Sequence, residues 1–284
     1  MNEILNDLRG LSVAKALFFL CAGCAGALSA QTQVTLFSFD GANGLDPGYG
    51  SLVQGTDGSF YGTTVYGGAN CGINSGCGTV FKVTPGGTLT TLHRFHLTDG
   101  ANPEGLVEAT DGTFYGTTAV GGANGGGTIY KITSGGTLTT LHNFASTDGF
   151  NPVDALVQAA DGDFYRTTYS GGMPSSNCLV GCGTIFKITP DGALTTLHSF
   201  DATDGAYPIA GLVEGTDGDF YGTTAYGGAN CGANGGCGTV FKSTPGGALT
   251  TLHNFNQTHL RQFAAQRRRN FLIPHSADVF CAKC

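Results

Sequence analysis

At 284 residues the chain is long enough for one large domain or two small ones. Its 48 glycines follow no Gly-X-Y period, which excludes collagen, and 12% charged against 40% hydrophobic residues argues against a disordered coil. Residues 31–255 carry 17 Asp/Glu and 6 Lys/Arg, a formal net of −11. Such an acidic body lacks the basic stripe of a nucleic-acid binder and is disfavoured at anionic membranes.

Residues 1–30 read as an export signal. Arg9 and Lys15 flank an apolar stretch from Leu11 to Leu28, and Ala27-Leu28-Ser29-Ala30 places cleavage after Ala30. The stretch is short and broken by glycine, so no membrane span is expected in the mature chain. Residues 31–255 then form one repeat domain. Thr35-Leu-Phe-Ser-Phe39 opens it and matches Thr196-Leu-His-Ser-Phe200, as an orphan fourth strand without its first three.

The phrase Ser51-Leu-Val-Gln-Gly-Thr-Asp-Gly-Ser-Phe-Tyr-Gly-Thr-Thr64 returns at Gly105, Ala155 and Gly211. Leu52, Leu106, Leu156 and Leu212 lie 54, 50 and 56 residues apart, a spacing near that of kelch-type propeller repeats. Asp57-Gly58, read as a two-residue hairpin turn, separates a strand over 52–56 from one over 60–65. Pro85-Gly86-Gly87 likewise separates 79–84 from 89–95. Apolar residues occur on both faces of Thr79-Val-Phe-Lys-Val83, so the sheets need cover on both sides. A four-stranded unit of this size must therefore stack on its neighbours. The expectation is an all-β, β-propeller-like array of four-stranded antiparallel blades: four complete repeats (51–95, 105–144, 155–200, 211–255) plus the orphan strand. A β-helix is the competing architecture.

The phrases Gly211-Leu-Val-Glu-Gly-Thr-Asp-Gly-Asp-Phe-Tyr-Gly-Thr-Thr224, Gly238-Thr-Val-Phe-Lys242 and Leu249-Thr-Thr-Leu-His253 resemble the GloVer tandem repeat, over about residues 33–255. The resemblance implies an exported, surface-associated, propeller-like protein and implies no reaction. After Phe255 the repeat phrase stops, glycine ends at Gly247 and Arg267-Arg-Arg269 appears. Residues 256–284 are read as a disordered or frameshifted basic tail on a truncated array, without a recognisable anchor.

Six cysteines fall as pairs in one variable loop: Cys71/Cys77, Cys178/Cys182 and Cys231/Cys237, with both members absent from the second repeat. Joint presence and joint absence favour disulfides within each loop over metal sites, which would need further ligands. Cys281-Ala-Lys-Cys284 stands outside any redox-motif context.

His93, His142, His198 and His253 recur at one strand position, which Phe37 fills in the opening copy; packing is favoured over a ring of ligands. Lys82, Lys131, Lys187 and Lys242 also recur, read as solvated side chains over a basic channel lining. No metal or cofactor is expected. Catalytic groups in a repeat protein should sit where the repeat breaks. The candidates are Arg166, where the other copies have Gly62, Gly116 and Gly222, and Glu104 and Asp154 in the entry loops. The resulting expectation is a monomeric, secreted or cell-surface scaffold for an extracellular ligand, glycan or protein. The alternative is a propeller enzyme resembling streptogramin lyase or a carbohydrate-active propeller.

Overall fold

The structure is a computed structural model that describes residues 34–47, 50–68, 76–229 and 237–256. Its sheets all lie in the unit that begins at Leu36. The first comprises β1 (Val53–Gln54), β2 (Phe60–Thr64), β3 (Thr79–Val83) and β4 (Leu89–Arg94). The second comprises β5 (Ala101–Glu108), β6 (Phe114–Val120), β7 (Thr128–Ile132) and β8 (Leu138–Asn143). The third holds β9 (Phe150–Pro152), β10 (Val157–Gln158), β11 (Phe164–Ser170), β12 (Thr184–Ile188) and β13 (Leu194–Ser199). The fourth holds β14 (Val213–Glu214), β15 (Phe220–Thr223), β16 (Thr239–Ser243) and β17 (Leu249–Asn254). Within each sheet, successive strands pair antiparallel in chain order, apart from β9, which pairs with β11. The array is β-propeller-like, one blade per repeat. Residues 34–40 are not in strand conformation.

The hairpin turns differ from the two-residue form expected at Asp57-Gly58. Gly58 N–H donates to the Gly55 carbonyl and Gly55 N–H to the Ser59 carbonyl, which makes a three-residue loop. Gly58, at φ 78°, takes the left-handed position that follows a tight turn in such loops. The Asp57 carboxylate fixes the loop by accepting Ser59 N–H and Tyr61 O–H. Its acidity is strengthened to a pKa of about 2 by bonds from Lys82 first, then Ser59 and Tyr61.

The inner strand also starts earlier than the Leu-Val phrase. In the second blade β5 begins at Ala101, with a register shift between Pro103 and Leu106. In the third the same path is split into β9 and β10, and in the first and fourth only the bridges Leu45–Tyr66 and Ala206–Tyr226 remain of its early half. A residue at positive φ precedes proline at each start: Asp46, Asn102, Asn151 and Tyr207. Three of them reach back to the previous blade, where Asn102, Asn151 and Tyr207 donate their N–H groups to the carbonyls of Cys77, Gly126 and Cys182.

Each blade presents two chemically distinct apolar faces. Alternation along β3 turns Val80 to the following blade and Phe81 and Val83 to the preceding side. Tyr61 stacks on Phe114 at 4.0 Å, Tyr115 on Phe164 at 4.2 Å and Tyr165 on Phe220 at 4.1 Å. A second contact runs edge to face nearby: Phe95 on Tyr130, Phe144 on Phe186 and Phe200 on Phe241, at 5.1, 5.2 and 5.3 Å. Phe39 makes the equivalent contact with Phe81 at 5.0 Å, although its segment belongs to no sheet. The orphan segment thus keeps the side-chain contact of a fourth strand without the ladder.

Because the Tyr115 ring is buried in the junction between the second and third blades, Tyr115→Ala should cost about 3–5 kcal/mol. Urea denaturation followed by circular dichroism measures it; a loss below about 1 kcal/mol would mean that the stack does not hold the blades together.

Candidate functional site

Most recurring polar groups are engaged in the scaffold. The imidazole Nε2 atoms of His93, His142 and His198 lie 3.0, 2.9 and 2.7 Å from carboxylate oxygens of Asp99, Asp148 and Asp204, on the way into the next blade. Each ring also packs edge-on against the phenylalanine two residues later. Burial pushes the Asp99 carboxyl up, but bonds from His93 and the His96 N–H outweigh it and leave the pKa below the usual range.

The lysines are held as well. Lys82 meets Asp57 at 2.7 Å, Lys187 meets Asp163 at 3.0 Å and Lys242 meets Asp219 at 2.6 Å. The acid comes from the turn's Asp57 in the first blade and from Asp163 and Asp219, two residues further on, in the third and fourth; Lys131, with Thr113 at that second position, reaches the Pro190 carbonyl. Buried threonine pairs join strands two and three in every blade, Thr64–Thr79, Thr118–Thr128, Thr168–Thr184 and Thr224–Thr239, each at 2.9 Å.

The three residues that break the repeat lie close together. Position 62 and its equivalents face the preceding side, under the aromatic ring of the next strand. A Cβ on Gly62, Gly116 or Gly222 would come within 2.7, 2.5 and 2.5 Å of Phe81, Tyr130 and Phe241. Arg166 nevertheless fills this slot in β11 and is fully buried. Its Nε donates to the Val153 carbonyl, and Nη2 lies 3.4 Å from a carboxylate oxygen of the half-exposed Asp154. Nη1 and Nη2 have no hydrogen-bond partner among the described residues. Gly211 of the fourth blade closes over the pair: a Cβ there would fall 2.9 Å from Asp154 Oδ2 and 3.0 Å from Arg166 Nη1.

Glu104, from the second blade, feels both charges. Burial raises its pKa, a backbone hydrogen bond from Asp154 and the Arg166 charge lower it, and the Asp154 charge raises it further; the net direction is up. Arg166 is shifted down by burial, against the pull of Asp154 and Glu104. A guanidinium starts so far above neutral that it remains a cation. The cluster is a buried cation with one carboxylate 3.4 Å away and a second within reach of its charge, where three blades meet. Its chemistry is that of a charge lock or an acid–base pair, and among the described residues no group of three or more His, Cys, Asp or Glu suits a metal ion.

Two further members escaped sequence reasoning. Tyr130 stands where the other blades have Phe81, Phe186 and Phe241, and its buried hydroxyl has no partner among the described residues. Burial first, then the Glu104 charge, raises its pKa. Thr167 is the second: Thr63 and Thr117 donate to the main-chain carbonyls of Glu104 and Asp154 in the following blade, whereas the Thr167 hydroxyl finds no acceptor. The Tyr-for-Phe exchange was visible in the repeat; the missing acceptor for Thr167 was not.

The variable loops lie between strands two and three. Cys178 and Cys182 are bonded, with Cα atoms 5.4 Å apart. Cys77 and Cys237 are also disulfide-bonded, but Cys71 and Cys231 lie outside the described residues, as do Cys281 and Cys284. The Cys77 and Cys182 carbonyls anchor the next blade, yet Gly126 does the same without sulfur, so that bond does not depend on the staple.

Three measurements follow from this arrangement. Asp154→Ala leaves the buried guanidinium without its counter-ion and should cost about 1–2 kcal/mol, discounted because Asp154 is half in solvent. Adding Arg166→Gly, the residue of the other three copies, should recover most of that; urea midpoints that fall further in the double variant would contradict the charge-lock reading. For Asp99, a lowered folded pKa means stability present above the ordinary carboxylate value of about 3.9 and lost as pH falls through the folded value. Asp99→Asn should therefore flatten the acid limb of a stability–pH curve, and an unchanged slope would show that the His–Asp clasp is not responsible. Reducing Cys178–Cys182, a five-residue loop, should cost about 2 kcal/mol at most and leave the strand signal in circular dichroism.

Among the described residues no helix is long and apolar enough to cross a membrane. No curated protein matches the chain. Solved structures with a similar chain path include virginiamycin B lyase from Staphylococcus aureus, at 18% identity and a TM-score of 0.45, covering 72% of this chain and 54% of the lyase. A streptogramin B lyase aligns at 19% identity and 0.44 over 72% and 54% of the two chains. A gluconolactonase from Xanthomonas campestris aligns at 15% and 0.36 over 63% and 69%. The chain spans about half the length of the lyases, and no residue role is carried over from any of these proteins. The Gloeobacter/Verrucomicrobia repeat model matches residues 65–270, nearly three quarters of the sequence and past the last recognisable phrase at Phe255. This chain belongs to the Gloeobacter/Verrucomicrobia repeat family.

Proposed function

We propose that the protein is a secreted or cell-surface repeat scaffold that binds an extracellular glycan or protein through the loops between strands two and three of its blades. One observation carries this reading: within a repeat whose His, Lys, Asp and Thr positions are tied into internal contacts, that loop varies most in length and is where the cysteine pairs come and go. A scaffold that holds its framework constant and varies one loop per unit places specificity in the loops. The intraloop disulfide Cys178–Cys182 suits an oxidising compartment, and the apolar segment from Leu11 to Leu28 suits export.

The competing reading, a propeller enzyme, has its support in the Arg166–Asp154–Glu104 cluster, where, among the described residues, charge is buried asymmetrically. Fold similarity lends that reading nothing by itself. The zero exposure of the Arg166 side chain counts against direct contact with a substrate.

Replacing residues 173–181 by the short Ala123-Asn124-Gly125 turn of the second blade separates the two readings. The variant should keep its strand signal and lose binding to whatever a glycan array or a capture from culture supernatant identifies for the unaltered protein. Retained binding would remove the third-blade loop from the recognition surface. Arg166→Gly should leave binding intact, and loss of a defined turnover in that folded variant would favour the enzyme.

A further inference from the structure

We propose that the two end faces of the described array are complementary, and that a second copy of this chain docks head to tail, its fourth blade on the first blade of its neighbour. This departs from the monomer expected from the sequence.

The three internal junctions define what each side of a blade supplies. The preceding-side set of the second blade is Leu106, Phe114, Tyr130, Ile132 and Leu138, and it packs on Val53, Tyr61, Val80, Leu92 and Phe95 of the first. The same positions recur at the two later junctions, with Leu156, Phe164 and Phe186 meeting Tyr115 and Phe144, and Leu212, Phe220 and Phe241 meeting Tyr165 and Phe200.

The first blade carries this preceding-side set with its inner part uncovered by any described residue. Leu52 is 55% exposed, while its equivalents Leu106, Leu156 and Leu212 are 4%, 3% and 4% exposed. Phe60 is half-buried where Phe114, Phe164 and Phe220 are fully buried. Between these residues and the opening segment lies a cavity of about 400 Å³, lined by Leu52, Phe81, Val83 and Leu89 together with Leu36 and Phe39. Every one of the first four is the counterpart of a residue that is packed at an internal junction.

The fourth blade carries the matching set on its far side. Val213 is 65% and Leu252 50% exposed, Tyr221 is half-buried where Tyr61, Tyr115 and Tyr165 are fully buried, and Thr223 is exposed where Thr63, Thr117 and Thr167 are buried. The polar edge matches too. Thr56 and Thr110 N–H groups donate to the side chains of Glu108 and Gln158 in the following blade. The fourth blade has Thr216 at the donor position, and the first has the exposed Gln54 at the acceptor position.

One contact must exchange. Leu36 and Phe39 sit on Gly87 and Phe81, where Leu252 and Phe255 of the neighbour belong. The opening segment is not hydrogen-bonded into a sheet, whereas β17 is laddered to β16. The segment is therefore the weaker holder of a shared slot and competes with assembly. A head-to-tail joint of this kind closes into a ring where its rotation allows and otherwise extends.

Sedimentation velocity of the full-length protein over a range of concentrations tests the proposal. The unaltered chain should associate as concentration rises. Leu52→Asp and Val213→Asp should each be monomeric with unchanged circular dichroism, because both positions are exposed. Mixed one to one, they should form dimers and nothing larger, since each retains the face that the other has lost. Phe39→Ser should shift association to lower concentration. A monomer at every concentration overturns the proposal, as does a loss confined to one variant with no dimer in the mixture. Association unchanged or weakened by Phe39→Ser overturns the competition for the slot.

Discussion

The stack of a tyrosine from one blade on a phenylalanine of the next is the contact on which the rest depends. A single four-stranded sheet of about 40 residues cannot cover both of its own faces. Burying an aromatic ring removes a large apolar area from water, and an offset pair adds about 0.5–1.5 kcal/mol beyond that. The Phe-Tyr dipeptide that opens the second strand does both jobs at once. Successive side chains point to opposite faces, so Phe114 receives Tyr61 from behind while Tyr115 reaches forward to Phe164. A one-residue slip in this strand would exchange the two roles, which is why its register is tied on each side. Tyr165 gains a second tether because its hydroxyl bonds the turn carboxylate of Asp161.

Stacking at 4 Å leaves little room elsewhere in the blade, and composition follows from that. The glycine after Phe-Tyr exists because the next strand's aromatic ring lies over it. Threonines line the remaining buried backbone edge because a hydroxyl can donate to a carbonyl of the next blade or to a partner hydroxyl, and so leaves few polar groups unsatisfied. The abundant Gly and Thr that first separated this chain from disordered or collagenous sequences are consequences of close sheet-on-sheet packing.

Much of this was legible in the sequence. The recurring phrase, with apolar residues on both faces of its third strand, an Asp-Gly turn between strands one and two and a Gly-containing turn between strands three and four, marked out the four-stranded unit. The early half of the inner strand was not legible. Asp99-Gly100-Ala101-Asn102-Pro103 has the composition of a turn, and its Asn102 at positive φ is indeed turn-like. It becomes strand in the second blade because Ala101 and Pro103 pair with Val120 and Thr118. The recurring histidines were read as packing, and the ring contacts with Phe95, Phe144 and Phe200 agree. Their aspartate partners lie six residues on, across a turn whose path no local pattern reveals.

The candidate site shows why repeats conceal function until they are folded. Arg166, Glu104 and Asp154 were each noticeable as departures from the consensus, but they are scattered over 62 positions of sequence and two repeats. Stacking places the entry loop of one blade beside the second strand of the next, and three separate exceptions become one electrostatic unit. An arginine in a glycine slot must find space that its siblings never had. Its guanidinium reaches the Val153 carbonyl and the edge of Asp154, and the following blade accommodates it with glycine at position 211. In the first blade the comparable position faces an open cavity rather than a packed neighbour. An arginine there would have solvent; in the third blade it has the Val153 carbonyl and, for its charge, the nearby carboxylates, so those three residues have to be understood together.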